Sequence, residues 1–318
     1  MLFTVPGTEW EVSSYGFFLG LALIAGWILS LALAGRDRLP ADRLGTSYVV
    51  AVAFGLFGAR AAWLVQHPDA WTGWASLVSL SSPGQGGMAP FFGVVVGLLV
   101  TGMHVQRMRV PVLGWFDVAA PALALGLVLE RIGALLAGLG HGRYAPDFPL
   151  ALRFPVDSPA FVEQRRTVAS LLPAGATESL PVYPTQLVAI LVGLVALAIA
   201  FALRKRRRFG GQVFLAVAIT IVAGRSFVEE PLRADRAQAT IGPASPGQIG
   251  AALLVVAMAV VYRTRSRKAA EGAPDMRPWE GGKWSPKPPA AAAKRAGTTA
   301  ADPRAASGKG KGKGKGKR

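Results

Sequence analysis

One arginine within a long apolar stretch is the residue of this sequence best suited to chemistry. The apolar stretch runs from Ala119 to Leu139, and Arg131 lies inside it. A guanidinium at the centre of a membrane helix costs about 2.5 to 3.5 kcal/mol, so it persists where it has a partner or a task. Its planar donors can form two parallel hydrogen bonds to a phosphate. Arg131 therefore indicates binding of an anionic group, such as a lipid head group, within a membrane.

A second pair of charges occurs in a later apolar run. Arg225 and Glu229 are four residues apart, so they can pair on one face of a helix and offset part of their desolvation cost. The same spacing also suits an ion pair that only stabilises a helical bundle. Glu130 adjoins Arg131, but adjacent residues point to different faces of a helix, and this makes it a poor partner. We expect Arg131 to pair with Glu229 or with a lipid phosphate instead.

Three glycines and a histidine lie directly before Arg143. Gly138, Gly140 and Gly142 allow backbone to approach closely, and irregular backbone at membrane depth is tolerated where it lines a cavity. Glycine is also frequent where helices simply pack against each other, and this alternative stays open. His141 lies two residues before Arg143, so it is either a general base at the mouth of a site or an ordinary surface or packing histidine.

The composition sets the fold class. Of the 318 residues, 52% are hydrophobic, the mean hydropathy is +0.38, and the apolar runs are too long for helices on a soluble core. We therefore predict an all-α polytopic membrane protein with about seven transmembrane helices. The predicted spans are about Tyr15–Ala34, Tyr48–Val65, Pro90–Gln106, Val112–Gly138, Val182–Leu203, Gln212–Val228 and Gly247–Tyr262.

Basic residues alternate between the connections, as expected if cytoplasmic loops carry the excess of Lys and Arg. The connection 35–43 has three arginines, the connection 66–87 has no basic residue, and residues 204–208 are five basic residues in a row. This pattern predicts an N-terminus outside and a C-terminus in the cytoplasm. The connection 139–181 has four arginines and four acidic residues, and we assign it as an outer segment. The polar features at the ends of the spans then face the outer leaflet.

The membrane domain is predicted to occupy residues 1–262, and residues 263–318 form a basic tail. The tail has sixteen Lys and Arg against four acidic residues and ends in alternating Gly and Lys. Because it has too little apolar surface to offset ordering entropy, we predict that it is disordered in the cytoplasm. Attraction to anionic membrane lipids is the favoured role of its charge. Nucleic-acid binding is not expected, because no aromatic residue is interleaved with the terminal lysines for base stacking.

The sequence contains no cysteine and three histidines. The absence of cysteine excludes disulfides, thiol nucleophiles and cysteine metal sites. With His67, His104 and His141 as the only histidines, we expect neither a metal centre nor a cofactor. The first apolar stretch has no basic residue before it and no small-residue cleavage site, so we expect a retained span rather than a signal peptide.

Five short motifs follow one another along the predicted membrane domain. They are Ser-Tyr-Gly at 14–16, Arg-Ile-Gly at 131–133 with Gly-Arg at 142–143, Tyr-Pro-Thr-Gln-Leu at 183–187, Gly-Arg-x-x-x-Glu at 224–229 and Ser-Pro-Gly-Gln-Ile at 245–249. In this order they resemble the prolipoprotein diacylglyceryl transferase family, and the resemblance spans about Val12 to Tyr262.

The resemblance implies a seven-span enzyme of the bacterial inner membrane. It would transfer the diacylglyceryl group from phosphatidylglycerol to the thiol of a lipobox cysteine next to the signal peptide of a prolipoprotein, and glycerol phosphate would leave. The implied arginines would hold the phosphate and stabilise charge on the leaving oxygen, and Tyr15 would orient the lipid. The candidate catalytic residues are Arg131, Arg225, Glu229, Tyr15 and His141. The candidate phosphatidylglycerol-binding residues are Arg131, Arg143, Gly142, Arg225, Gln186 and Arg233.

Several polar positions of the family pattern are apolar in this chain. The family's histidine falls on Phe91, its asparagines on Ala134 and Ala137, and its glutamate on Leu139. One extra residue precedes Arg233 in the sixth-span motif. A thiol of pKa about 8.5 needs a base or a cationic field to react near neutral pH. Two functions therefore stay open: an active transferase, or a non-catalytic relative that binds phosphatidylglycerol or lipoprotein signal peptides. A transporter is a third alternative, although no internal repeat is found.

Overall fold

The structure of the protein is a computed structural model that describes residues 3–4, 11–78, 87–234 and 242–272. Most of these residues are helical, which confirms the predicted all-α polytopic fold. Each predicted span contains one long helix. The long helices are α1 (Ser14–Arg36), α2 (Ala41–Gln66), α4 (Pro90–Arg107), α5 (Val112–Ala137), α7 (Thr185–Arg204), α8 (Gln212–Ala223) and α9 (Pro246–Ala270). Two short helices lie in the connections, α3 (Ala75–Val78) and α6 (Pro159–Thr167), and Phe3–Thr4 pairs antiparallel with Glu11–Val12.

Six of the seven predicted spans are long and apolar enough to cross a membrane. The exception is α4, which has 18 residues and ends on the polar residues His104, Gln106 and Arg107. It nevertheless packs along α2 through glycines, since a Cβ on Gly93 would lie 2.7 Å from the carbonyl oxygen of Gly55. Its opposite face exposes apolar side chains. The seventh span therefore stays a prediction that this packing favours.

Helix α5 is the centre of the bundle and contacts α1, α7 and α8. Half of its most apolar stretch is buried, compared with 6 to 28% for the other five candidate spans. Small residues allow this burial, because a Cβ on Gly193 of α7 would lie 2.7 Å from the side chain of Val128. The helix is continuous through Pro121 and ends at Gly138, whose φ of 69° suits glycine.

Asp117 fixes the start of α8 from the side of α5. Its carboxylate is fully buried and accepts hydrogen bonds from the backbone N–H groups of Gly211 and Phe214, at 2.8 and 2.9 Å. The first N–H groups of a helix have no partner within the helix, so this carboxylate satisfies part of that need. The contact holds α8 against α5 at the end of the bundle opposite to the polar motifs.

The last helix extends farther than predicted. The seventh span was expected to end near Tyr262 and the tail to begin at residue 263, but α9 continues to Ala270. No helix-breaking residue occurs before Gly272, whose φ is 71°. The rest of the predicted tail, residues 273–318, lies outside the described residues. Its disorder and its cytoplasmic location stay predictions.

Candidate functional site

The site begins where α1 and α5 approach each other most closely, at Gly133. A Cβ on this residue would lie 2.7 Å from Cβ of Phe18 and 3.2 Å from Cα of Tyr15, so the approach requires glycine. It brings Tyr15 beside the end of α5, where its hydroxyl is close enough to the carboxylate of Glu130 to interact with it. Arg131 lies next to the same carboxylate. The Arg-Ile-Gly motif thus supplies both a cation and the contact that positions the tyrosine.

Glu229 lies at the centre of a group of three arginines. Its side chain is 1% exposed, and its Oε1 lies 3.5 Å from Arg131 and 3.5 Å from Arg233. Its Oε2 lies 3.7 Å from Nε of Arg225. The predicted pairing of Glu229 with Arg131 and with Arg225 is confirmed. These distances are longer than those of good hydrogen bonds, so the contacts are ion pairs. One buried carboxylate thus lies within ion-pair distance of three guanidinium groups.

A π-helical turn positions Glu229. The turn covers Gly224–Glu229 and follows directly on α8. It starts against α7, because a Cβ on Gly224 would lie 2.5 Å from Cγ1 of Val192. Such turns are rare and often occur at functional sites, where they redirect side chains. Here the wider turn carries both Arg225 and Glu229.

The start of α9 supports this π-helical turn. Ser245 and Gln248 form a capping box, in which each side chain accepts a hydrogen bond from the other residue's N–H. The Gln248 amide also donates to the carbonyl of Ser226 at 3.0 Å, and the Ser245 hydroxyl donates to Glu230. The Ser-Pro-Gly-Gln-Ile motif therefore has a structural role, which is to fix the segment that carries Glu229.

The backbone of residues 142–143 lies between two neighbouring backbone segments and forms one wall of the site. Gly142 pairs antiparallel with Arg233, and the Arg143 N–H donates to Leu232 at 2.9 Å. On the other side, the N–H of Tyr183 donates to the carbonyl of Arg143 at 3.1 Å. A Cβ on Gly142 would lie 2.3 Å from the Tyr183 oxygen, so only glycine fits between the two neighbours. The close backbone approach predicted for this glycine is present.

The Tyr-Pro-Thr-Gln motif ties α7 to the loop after α5. Gln186 is fully buried and donates from its amide to the carbonyl of Leu139 at 2.9 Å. The Thr185 hydroxyl donates to the carbonyl of Gly140 at 2.7 Å. These bonds give Gln186 a positioning role in the loop that leads from Arg131 to Arg143. Its binding of phosphatidylglycerol stays a prediction.

Comparison with known proteins identifies the family. The sequence profile described as prolipoprotein diacylglyceryl transferase matches residues 1–264. The chain belongs to this family.

Three similar proteins carry the name phosphatidylglycerol–prolipoprotein diacylglyceryl transferase. The protein of Thermus thermophilus is 28% identical, and the match covers 69% of this chain and 79% of that protein. The transferase 2 of Clostridium perfringens is 25% identical, over 81% of this chain and 93% of that protein. The protein of Rhodopirellula baltica is 31% identical, over 48% of this chain and 32% of that protein.

Glu130 is a second acidic partner of Arg131 in this member of the diacylglyceryl transferase family. The prediction that it is a poor partner of Arg131 is wrong, because its Oε2 lies 3.0 Å from the arginine Nε. Adjacent side chains leave a helix in different directions, but both are long enough for their ends to meet. The contact lacks hydrogen-bond geometry at Nε, so it is an ion pair. Its role could have been inferred from the cost of a second charge in the same apolar run.

His141 lies in the interior of the connection 139–181. Its side chain is 6% exposed, which rules out a surface histidine, and its Nε2 lies 3.8 Å from Oε2 of Glu163 on α6. Its carbonyl accepts a hydrogen bond from Ala234. The packing role and the role as a base both stay open. The other histidines lie elsewhere: His67 stacks on Trp63, and His104 contacts Ser47.

Arg143 is exposed, and its guanidinium adds a further positive charge at the same end of the bundle. Its guanidinium lies over the ring of Tyr183, 5.6 Å from the centroid.

The apolar residues at positions where the family has polar ones differ in their exposure. Phe91 is 59% exposed on α4, whereas Ala134 is buried on α5.

The described ion pairs of the central cluster carry a net positive charge. In this set, three guanidinium groups face two carboxylates, those of Glu130 and Glu229, which gives a net charge of +1. A partly buried positive charge in a region of low dielectric attracts an anionic ligand. A phosphodiester carries one negative charge and accepts bidentate hydrogen bonds from arginine. The cluster therefore suits a single phospholipid head group.

Removing the shared carboxylate should destabilise the protein. In Glu229→Gln, three guanidinium groups would converge without the charge that holds them, at a cost on the order of 3 kcal/mol. We expect less of the variant than of the wild type to remain monodisperse in detergent after heating, measured by size-exclusion chromatography. Glu178→Gln is the matched control, because this residue is exposed. Equal heat resistance of Glu229→Gln and the wild type would contradict the central role of Glu229.

Proposed function

We propose that this protein transfers the diacylglyceryl group of phosphatidylglycerol to the lipobox cysteine of prolipoproteins. The observation that carries the proposal is the cluster of three arginines around Glu229, whose described ion pairs, with that of Glu130, have a net charge of +1. It is positioned by the motifs of the diacylglyceryl transferase family, to which the chain belongs. Lipid substrates suit its setting, because the helices that bear it are long and apolar enough to span a membrane.

The bond changes give each group of residues a task. The substrate thiolate attacks the terminal glycerol carbon of the lipid, and the bond from this carbon to the phosphate oxygen breaks. The leaving glycerol phosphate gains one negative charge. Arg131 and Arg225 would stabilise this charge, because preorganised cations act strongly in a site of low dielectric. Arg233 and the exposed Arg143 would hold the departing head group.

Tyr15 and the histidine have secondary places in this scheme. The Tyr15 hydroxyl, which lies near Glu130, would orient the lipid glycerol. The His141 carbonyl accepts a hydrogen bond from Ala234, next to the wall formed by Gly142 and Arg233, so its proposed contribution is to shape that wall.

A non-catalytic relative was the second function that the sequence left open. Such a protein would bind phosphatidylglycerol or a signal peptide through the same arginines. The similar proteins are named as transferases, and the comparisons give no support to the non-catalytic alternative. Transfer is therefore the function that we propose.

The site is proposed to face outward from the bacterial inner membrane. The protein is a multi-pass membrane protein, and the alternation of basic residues in its loops favours a cytoplasmic C-terminus. The site motifs lie at the end of the bundle that bears the outer segment 139–181. A prolipoprotein could then reach the site after its signal peptide enters the membrane.

Complementation tests the function in cells. In bacteria depleted of their own transferase, we expect the wild-type protein to restore growth and the lipid-dependent mobility of a lipoprotein on gels. Arg131→Ala should fail, because the cluster would lose its phosphate anchor. Arg153→Ala is the matched control and should succeed, since this arginine is exposed on the outer segment. Failure of the well-expressed wild type would count against transfer.

The absence of cysteine allows a direct test of orientation. We expect Ser170→Cys, in the outer segment, to react with a membrane-impermeant maleimide in spheroplasts, and Ala270→Cys, at the end of α9, to react only in inverted vesicles. Both positions are exposed, so both variants should react after solubilisation in detergent. The reverse pattern would contradict the proposed orientation.

A further inference from the structure

The proposed reaction needs a group that accepts the proton of the substrate thiol. A thiol has a pKa of about 8.5, so most of it is protonated near neutral pH. The position of the family's histidine is occupied by Phe91, which has no titratable group and is 59% exposed on α4. The base must therefore be another residue. The inference below rests on the proposed function, because it assigns a residue to that reaction.

The two carboxylates of the cluster differ in what surrounds them. Glu229 is 1% exposed and lies within 3.7 Å of three guanidinium groups, so it is committed as their counter-ion. The side chain of Glu130 is 21% exposed and contacts one guanidinium, that of Arg131, at 3.0 Å. Two carboxylates in one site commonly take separate roles when their surroundings differ in this way. Glu130 is the one that a substrate can reach.

Three neighbours act on the Glu130 carboxylate. It lies 3.0 Å from Nε of Arg131, and Tyr15 and Arg225 are close enough to interact with it. The ion pair with Arg131 orients the carboxylate, as a general base requires. The arginines beside it would also stabilise a thiolate as the proton leaves.

His141 fits this role less well. Its imidazole is 6% exposed, compared with 21% for the side chain of Glu130, and its Nε2 lies 3.8 Å from Glu163 on the outer segment. A substrate thiol held against Arg131 would meet the Glu130 carboxylate before it met this buried imidazole.

We propose that Glu130 is the general base that removes the proton from the substrate cysteine. The thiol proton moves to a Glu130 oxygen as the sulfur forms its bond to the terminal glycerol carbon. The carbon–oxygen bond breaks, and its electron pair stays on the phosphate of glycerol phosphate. The proton then passes from Glu130 to the leaving phosphate or to water, which restores the carboxylate. Tyr15 is a positioning residue whose hydroxyl lies near the base.

A selenocysteine substrate tests this assignment directly. Purified protein in detergent would be given phosphatidylglycerol and a lipobox peptide that carries either cysteine or selenocysteine, and lipidation would be followed by mass spectrometry. A selenol is already ionised at neutral pH, so it needs no base. We expect Glu130→Gln to slow transfer to the cysteine peptide by about 10²- to 10⁴-fold. Transfer to the selenocysteine peptide should stay within about 10-fold of the wild type, because only proton removal has been lost.

Three results would overturn the assignment. If Glu130→Gln slowed transfer to both peptides equally, the residue would only position the arginine. If it slowed neither, another base would act. If the wild type modified neither peptide, the proposed function itself would fail, which distinguishes that failure from the first two. Heat resistance in detergent shows whether the variant folds, and Glu130→Asp, which keeps a carboxylate, should recover part of the cysteine rate.

Glu163→Gln is the matched control for the histidine alternative. It removes the described carboxylate partner of His141 but leaves the arginine cluster intact. We expect its rates with both peptides to equal those of the wild type. A cysteine-specific loss in Glu163→Gln, with none in Glu130→Gln, would assign the base to His141 and overturn the proposal.

Discussion

The burial of Glu229 among three arginines is the interaction on which the rest of the site depends. A carboxylate that is 1% exposed needs cations around it, and three guanidinium groups from α5, the π-helical turn and the segment after it supply them. The cluster cannot form unless the ends of these elements meet at one depth. The glycines at 133, 142 and 224 allow those close approaches, because a Cβ at each would lie within 3 Å of a neighbour.

Much of the fold follows from hydropathy and loop charge alone. Apolar runs of membrane length predict long helices, and every predicted span contains one. The end of α9 is harder to predict, because a run of basic residues is compatible with a helix that leaves the membrane. The start of α7 is also later than predicted, since Val182 pairs with residues of the connection 139–181 and Pro184 precedes the helix.

The site was only partly predictable. Spacing predicts the pair of Arg225 and Glu229, and the cost of a buried guanidinium predicts a distant partner for Arg131. The contact of Arg131 with Glu130 is not predicted from helical faces, because long side chains on different faces can still meet at their ends. The π-helical turn is not predicted from residue spacing either, since it packs closely against α7 at Gly224. Residues of a motif that looks functional, Thr185 and Gln186, hold the loop by donating side-chain hydrogen bonds to its backbone carbonyls.

Head-group selectivity tests the central claim most directly. The described ion pairs of the cluster have a net charge of +1, so the cluster should accept a lipid whose head group is a net anion and reject one that carries an ammonium group. With matched acyl chains in the same detergent, we expect purified protein to lipidate a lipobox peptide from phosphatidylglycerol at a rate at least about 100-fold above that from phosphatidylethanolamine, which corresponds to roughly 2.7 kcal/mol. Equal rates from the two lipids, or no transfer from either, would contradict this account of the site.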